Sequence, residues 1–291
     1  MELKEIYQDY IASPDRRFLY NQPKISFEVF PPKDGNISDL FEQVRILKKY
    51  HPVLISLTYG ANGGTKDMSF ELLKTFLDLE LNVMPHFTCV GSTRELIEHY
   101  ITQIENMGIE NILALRGDKT EATPECEFNY ANELVEFIHE HSTLSIGVAG
   151  YPECHIECEN IHKDIENLKR KVDMGASAIF TQLFFENDKL YRYIELVKNA
   201  GIDLPIVAGI LPIRSRKQVE KMISLTHAKI PNKIQEQLVK FPNDAKKIGV
   251  EFAINQCHDL IDNKVDGLHF FTLNHSGQVS EILDLSLIHI S

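Results

Sequence analysis

Eight short apolar, β-branched runs recur at nearly even intervals along the 291 residues, and this rhythm narrows the possible folds more than any other feature. The runs occupy residues 25–30, 53–58, 82–88, 111–115, 144–149, 177–184, 205–210 and 268–273. Between them the spacing turns helical. Leu40, Val44 and Leu47 share one face with Lys48 and Lys49 outside it, and Leu134, Phe137 and Ile138 share another with Glu133, Glu136 and Glu140 outside. Near-continuous apolar strands alternating with helices imply a parallel sheet covered on its outer face, and eight such units are the number that closes a barrel. A doubly wound open sheet is the rival, but the GxGxxG turn that often marks it is missing after the first run. The expected architecture is α/β, a single (β/α)8 TIM barrel spanning residues 1–291 as one catalytic domain, since no Gly/Pro/Ser linker or low-complexity tract divides the chain.

Two stretches exceed the minimal period. Residues 1–20 precede the first strand and are expected to form an N-terminal helical extension covering the barrel's bottom, and residues 231–265 are expected to insert extra helix between strands seven and eight. Residues 286–291 are assigned no role.

Composition removes several function classes. With 43% hydrophobic and 25% charged residues there is enough apolar material for a large core. Thirty Lys and Arg against forty-two Asp and Glu leave a formal charge of −12, opposite to what a nucleic-acid partner requires. No apolar run reaches the roughly 18 residues of a membrane span, and the charged first 17 residues do not read as a signal peptide. A cytoplasmic location is therefore expected. The five cysteines (Cys89, Cys126, Cys154, Cys158 and Cys257) are read as reduced thiols.

In such a barrel the active site forms at the C-terminal strand ends. Nearly every polar residue that interrupts an apolar run falls there: Glu28 before Phe30-Pro31-Pro32; Thr58-Tyr59-Gly60-Ala61-Asn62; Pro85-His86-Phe87-Thr88; Arg116-Gly117-Asp118; Tyr151 to His155; Gln182; Gly209 to Pro212; and Thr272-Leu273-Asn274. Strand alternation puts Ser26, Glu28 and Phe30 on one face. A carboxylate in the low dielectric of a barrel wall tends to a raised pKa, which suits a general acid; a structural Glu paired with a distant cation is the plainer alternative. Arg116-Gly117-Asp118 reads either as a turn or as a second rim carboxylate able to accept hydrogen bonds from an amino-substituted heterocycle. Asp164, Asn167 and Lys171 stand three and four residues apart and share a helix face, suited to ribose and pyrophosphate contacts or simply solvated. Cys154, His155, Cys158 and His162 suggest zinc, but their spacing is too local for the usual paired ligands, and no metal is expected.

Taken together and in order, these strings resemble the 5,10-methylenetetrahydrofolate reductases, in their bacterial-type form of the catalytic barrel alone. The match runs through Ser26 to Pro32, Thr58 to Asn62, Pro85 to Cys89, Ala114 to Asp118, Tyr151 to Glu153, Asn167 to Lys171, Thr181-Gln182, Gly209 to Pro212 and Thr272 to Asn274. The resemblance implies a barrel carrying non-covalent FAD, two alternating half-reactions with NADH or NADPH and then 5,10-methylenetetrahydrofolate, and 5-methyltetrahydrofolate as product. It places the chain in one-carbon metabolism and methionine biosynthesis, as a homo-oligomer without regulation by S-adenosylmethionine. It assigns Glu28 as general acid, Asp118 to the pterin and the nearby flavin, and Gln182 to both substrates. The FAD site it implies comprises Thr58, Tyr59, Ala61 and His86, then Arg116, Gly117 and Asp118, then Ala131, and finally Tyr151, His155, Asp164, Asn167, Arg170 and Lys171. Three substrate-side positions depart from the pattern: Arg216 stands where some relatives carry a stacking aromatic, and Phe271 and His275 replace a Tyr and an Arg. A flavin-free barrel lyase or isomerase, and a non-catalytic folate-binding barrel, are the competing readings.

Overall fold

The computed structural model describes residues 1–8, 24–58, 66–118, 127–226 and 228–287. Eight parallel strands close on themselves in sequence order: β1 (Ile25–Val29), β2 (Leu54–Leu57), β3 (Val83–Thr88), β4 (Asn111–Leu115), β5 (Ser145–Gly150), β6 (Ala178–Thr181), β7 (Ile206–Ile210) and β8 (Gly267–Phe271). Closure is made by β1 and β8, where Ser26 pairs with His269 and Glu28 with Phe271. The expected (β/α)8 barrel is thus present, with strand ends within about a residue or two of the apolar runs except at β6, which stops at Thr181. The apolar residues beyond it turn outward, Leu183 and Phe185 into a separate apolar cluster and Phe184 into the main core.

Alternation along each strand sorts side chains into two cores. Phe27, Val29, Ile55, Phe87, Ile112, Ile146, Ile179 and Phe270 point outward into the layer shared with the helices. Leu54, Met84, Leu113, Ala178, Phe180 and Val207 point inward. These are joined from below by Leu3, Ile6 and Tyr7 of α1 (Leu3–Gln8), so this helix plugs the bottom of the barrel; residues 9–20 of the expected extension lie outside the described residues. Its seat is specific. The Met1 carbonyl accepts from Asn82 Nδ2 (3.3 Å) and Asn111 Nδ2 (3.0 Å), and a Cβ on Gly267 would come within 2.7 Å of the Tyr7 ring. Fully burying each such side chain contributes roughly 1.5–3 kcal/mol.

The helices that follow the strands are α2 (Ile37–Lys48), α3 (Lys66–Asp78), α4 (Arg94–Asn106), α5 (Ala131–His141), α6 (Ile161–Asp173), α7 (Asn187–Asn199) and α8 (Arg216–Thr226). Their N-termini face the same end as the strand C-termini. Thr93 and Asn160 fix two of them by accepting from Leu96 N (3.2 Å) and Lys163 N (3.0 Å), the N-cap role these residue types favour. Between β7 and β8 come α8, an additional α9 (Asn232–Lys240), a 3-10 turn (Pro242–Asp244) and α10 (Ala245–Asp262), which is the extra helix expected there; α11 (Ser276–Leu287) follows β8. The insertion has its own apolar cluster, in which Ile230, Ile234 and Leu238 meet Leu183, Leu211 and Ile213.

Candidate active site

A cavity of about 540 Å³ opens at the C-terminal end of the barrel. Its walls are the inward residues above the plug: Leu113, Leu115, Ala149 and Phe180 form an apolar floor, and Glu28, Thr58, His86, Thr88, Arg116, Asp118, Tyr151, His155, Gln182 and His269 provide the polar groups. An apolar concavity with a few convergent polar groups is the usual form of a small-molecule site.

Glu28 lies at the centre of the arrangement. Its Oε2 is 3.7 Å from His86 Nε2 and 3.8 Å from His269 Nε2, and the carboxyl keeps 20% of its surface open toward the cavity. The backbone beneath it is clamped from β8: Thr272 Oγ1 donates to the Glu28 carbonyl at 2.7 Å. Asn274 reaches across to Phe30, accepting from its N–H (3.0 Å) and donating to its carbonyl (2.7 Å). Leu273 and Asn274 both adopt left-handed backbone, with φ of 50° and 58°, to make this crossing. The Thr-Leu-Asn string therefore joins the last strand to the first and holds Glu28 in place.

The charge state of this group differs from the sequence-based expectation. Burial raises the Glu28 carboxyl, but the His269 imidazole and the positive charge that His86 and His269 can carry outweigh it, and the carboxyl lies below its ordinary value. His86 is itself driven down to about 4 by burial, despite the pull of Glu28. It is neutral at pH 7, and its Nε2 is buried without a hydrogen-bond partner. His269 is tied by Ser26 Oγ at Nδ1 (2.8 Å), with Ser56 Oγ 3.4 Å from Nε2.

On the opposite wall, Gly117 has φ 83°, and a Cβ there would lie 2.9 Å from Thr88 Cβ, so the turn that presents Arg116 and Asp118 requires glycine. Arg116 pairs with Glu157 and donates Nε to the Gly117 carbonyl (3.1 Å). Tyr151 and His155 meet edge to face at 4.7 Å. His155 Nδ1 accepts from Glu157 N (3.2 Å), and the His155 backbone N–H donates to Asp164 Oδ2 (3.0 Å). Behind them Lys171 sends Nζ to the Ala149 carbonyl at 2.5 Å, 6.0 Å from the Tyr151 ring. Burial lowers Lys171 to about 8, with Asp164 opposing. Gln182 ends β6 with its N–H on the Gly150 carbonyl (2.8 Å) and its Oε1 accepting from Leu183 N (2.9 Å).

Of the residues singled out from sequence, Glu28, Thr58, His86, Arg116, Gly117, Asp118, Tyr151, His155, Gln182 and Phe271 line the cavity. Asp164 and Lys171 stand immediately behind it. Ala131 begins α5 and does not line it, and Asn167 and Arg170 are exposed on α6. Arg216 is 58% exposed and paired with Glu220 one turn along α8, and His275 is exposed beyond β8; neither lines the cavity. From α8 the wall is instead supplied by Met222, Leu225 and Thr226. Tyr59 and Ala61 lie outside the described residues. His269 is the residue sequence reasoning missed. Its signal was a histidine inside an otherwise apolar run, two positions before Phe271 and so on the same inward face. Among the described residues no group of three His, Cys, Asp or Glu is placed to hold a metal.

A closed eight-stranded parallel barrel with a carboxylate-bearing cavity at its C-terminal end defines a (β/α)8 barrel with its site in the position enzymes of this fold use. Comparison with known proteins narrows this. The family model "Methylenetetrahydrofolate reductase" matches residues 15–286. The 5,10-methylenetetrahydrofolate reductases of Salmonella typhimurium and Escherichia coli are each 35% identical over 263 residues, covering 89% of this chain and 88% of theirs. Methylenetetrahydrofolate reductase 1 of Schizosaccharomyces pombe is 33% identical over 271 residues, 89% of this chain but 45% of its own length. The chain belongs to the methylenetetrahydrofolate reductase family. Among solved structures, a Clostridium thermocellum protein that binds two copies of 5-methyl-5,6,7,8-tetrahydrofolic acid shares the fold at a TM-score of 0.63 and 14% identity, covering 95% of this chain and 98% of that one.

Proposed function

We propose that the cavity holds FAD and that the chain uses NADH or NADPH to reduce 5,10-methylenetetrahydrofolate to 5-methyltetrahydrofolate in two alternating half-reactions, with Glu28 as the acid. The observation that carries this reading is the placement of Glu28: a carboxyl set in the barrel wall between two imidazoles, with only its cavity side open. The residues suit a flat dinucleotide. Leu113, Leu115 and Phe180 offer an apolar bed, His86 Nε2 lacks a partner, and Gly117 leaves the rim free of a side chain. Arg116 and Lys171 are the cations for a pyrophosphate or ring carbonyl, with Tyr151 and His155 between them. FAD bound there would supply the redox relay, taking a hydride from the nicotinamide and giving it in a second step to the methylene carbon.

The protein's part is positioning and proton transfer. Glu28 protonates the folate nitrogen that departs as the five-membered ring opens to an iminium. Because its carboxyl rests below the usual range, it must first gain a proton. Filling the cavity strips the remaining water from the side chain and favours the neutral form. Asp118 and Gln182, at the ends of β4 and β6, would orient the heterocycle through its amino and carbonyl groups.

The test is an anaerobic visible spectrum of the purified protein. A flavin band bleached by NADH or NADPH and restored by methylenetetrahydrofolate is the expected result; a colourless protein that takes up no FAD would defeat the reading in favour of a flavin-free barrel. Glu28→Gln should keep the bleaching and lose the restoration. Equal loss of both steps would remove Glu28 as the acid.

A further inference from the structure

The loop from β5 to α6 carries two cysteines for which the reductase reading has no use. Cys154 and Cys158 bracket His155, Ile156 and Glu157, all three of which line the cavity. Two consecutive turns fold this loop: Cys154 N donates to the Tyr151 carbonyl (3.1 Å) and Cys158 N to the His155 carbonyl (2.8 Å). Cys154 takes the left-handed conformation between them, with φ 74°. As a result Cys154 Sγ lies 3.8 Å from the Cys158 carbonyl oxygen, so the turn folds one cysteine back against the other. Both residues are partly exposed, whereas Cys89 and Cys257 are fully buried. With no third ligand gathered among the described residues, this geometry is that of a dithiol and not of a metal site.

We infer that Cys154 and Cys158 form a reversible disulfide that acts on the cavity through the three residues between them. The oxidant is a low-molecular-weight disulfide, RSSR. One cysteine thiolate attacks it, forming a mixed disulfide and releasing RSH; the second cysteine displaces the remaining RS group, releasing another RSH. The protein loses two thiol hydrogens and two electrons, and RSSR gains them. Burial, with Asp164 and Cys158 nearby, pushes the Cys154 thiol up to about 11, which makes it the slower first nucleophile and assigns it the second, resolving step.

An S–S bond of about 2.05 Å draws Cys158 away from its present contacts at the start of α6, the Asn160 carbonyl at 3.6 Å and Asn167 Nδ2 at 3.9 Å. The intervening backbone carries the His155 N–H bond to Asp164 and the Glu157 carboxylate that holds Arg116. Both must shift. The effect on cofactor affinity rests on the FAD reading; the disulfide and the loop shift do not.

The experiment treats the full-length purified protein with oxidised glutathione, then alkylates, digests and maps it by mass spectrometry. Amide exchange at residues 155–158 and FAD affinity are read on the same samples. The expected results are a Cys154–Cys158 link reversed by dithiothreitol, at least tenfold faster exchange at the His155 amide, and at least a tenfold weaker Kd for FAD. Cys154→Ser should stop at a mixed disulfide on Cys158, with exchange and affinity unchanged. Failure of the two cysteines to link, or a link that leaves His155 exchange unaltered, overturns the proposal. Absence of FAD binding in both redox states would instead overturn the reductase reading, and the link and the exchange rate would still decide this one.

Discussion

His86 should make the protein lose stability as the pH falls below about 6.5. Its side chain is 5% exposed, and burial holds its pKa near 4 against an ordinary 6.5. A group whose folded pKa is depressed contributes full stability above its unfolded pKa, and that contribution falls as pH drops toward the folded value. Here the window runs from about 6.5 down to about 4, because the unfolded chain takes up a proton that the native one refuses. At pH 4.5 the two values give a loss of about 2–3 kcal/mol relative to pH 8. The assay is urea denaturation at pH 8 and pH 4.5 for the wild-type chain and for His86→Gln. His155 and His275 are also lowered, by burial first, and contribute in the same direction, but they are common to both proteins and cancel in the comparison. The variant should lose about 2–3 kcal/mol less than wild type over this interval. Equal losses, or a carbon-bound ring proton of His86 titrating near 6.5 by NMR, would refute the argument that burial keeps this imidazole neutral.

Three other changes follow from the same geometry. Gly117→Ala places a side chain on left-handed backbone 2.9 Å from Thr88 Cβ, and should cost about 1–3 kcal/mol in thermal or urea unfolding; an unchanged midpoint would show that the turn relaxes freely. Thr272→Val removes the 2.7 Å bond to the Glu28 carbonyl and should cost about 0.5–1.5 kcal/mol. The same denaturation series measures it, and no loss would mean that the β1–β8 seam holds without this hydroxyl. Lys171→Met keeps the length of the buried stem and deletes its charge. On the FAD reading, losing a charged contact worth about 1.5–3 kcal/mol should weaken FAD binding roughly 10- to 100-fold, measured by flavin fluorescence, and an unaltered Kd would exclude Lys171 as a cofactor contact.

The barrel was legible because its signal is redundant. Each of the eight apolar runs fixes a strand, and the helical spacing between them fixes the crossovers, so no single misreading alters the topology. β6 shows where that signal fails. Leu183, Phe184 and Phe185 continue the apolar run, yet they are buried by helices and not by strand neighbours, and hydrophobicity alone does not distinguish the two. At the site, residues at strand ends were readable because Glu28, His86 and Gln182 are polar interruptions of apolar strands. His269 is the same kind of interruption, but it lies within β8, below the rim string that begins at Thr272. Positions on helices were less legible. Asp164 and Lys171 point inward while Asn167 and Arg170 on the same helix are exposed, and Arg216 folds onto Glu220. Rotation about a helix axis is set by packing that the local sequence does not specify.

The plug formed by Leu3, Ile6 and Tyr7 also governs traffic. With the floor of the barrel closed by these side chains, the cavity opens at the C-terminal end, where Met222, Leu225 and Thr226 of α8 join its wall. A molecule lodged at the depth of Glu28 must leave by the route it entered, and anything stacked above it bars the way. On the two-substrate reading proposed above, two reactants that both need that depth would have to queue, and departure of the first would set the earliest moment at which the second could arrive.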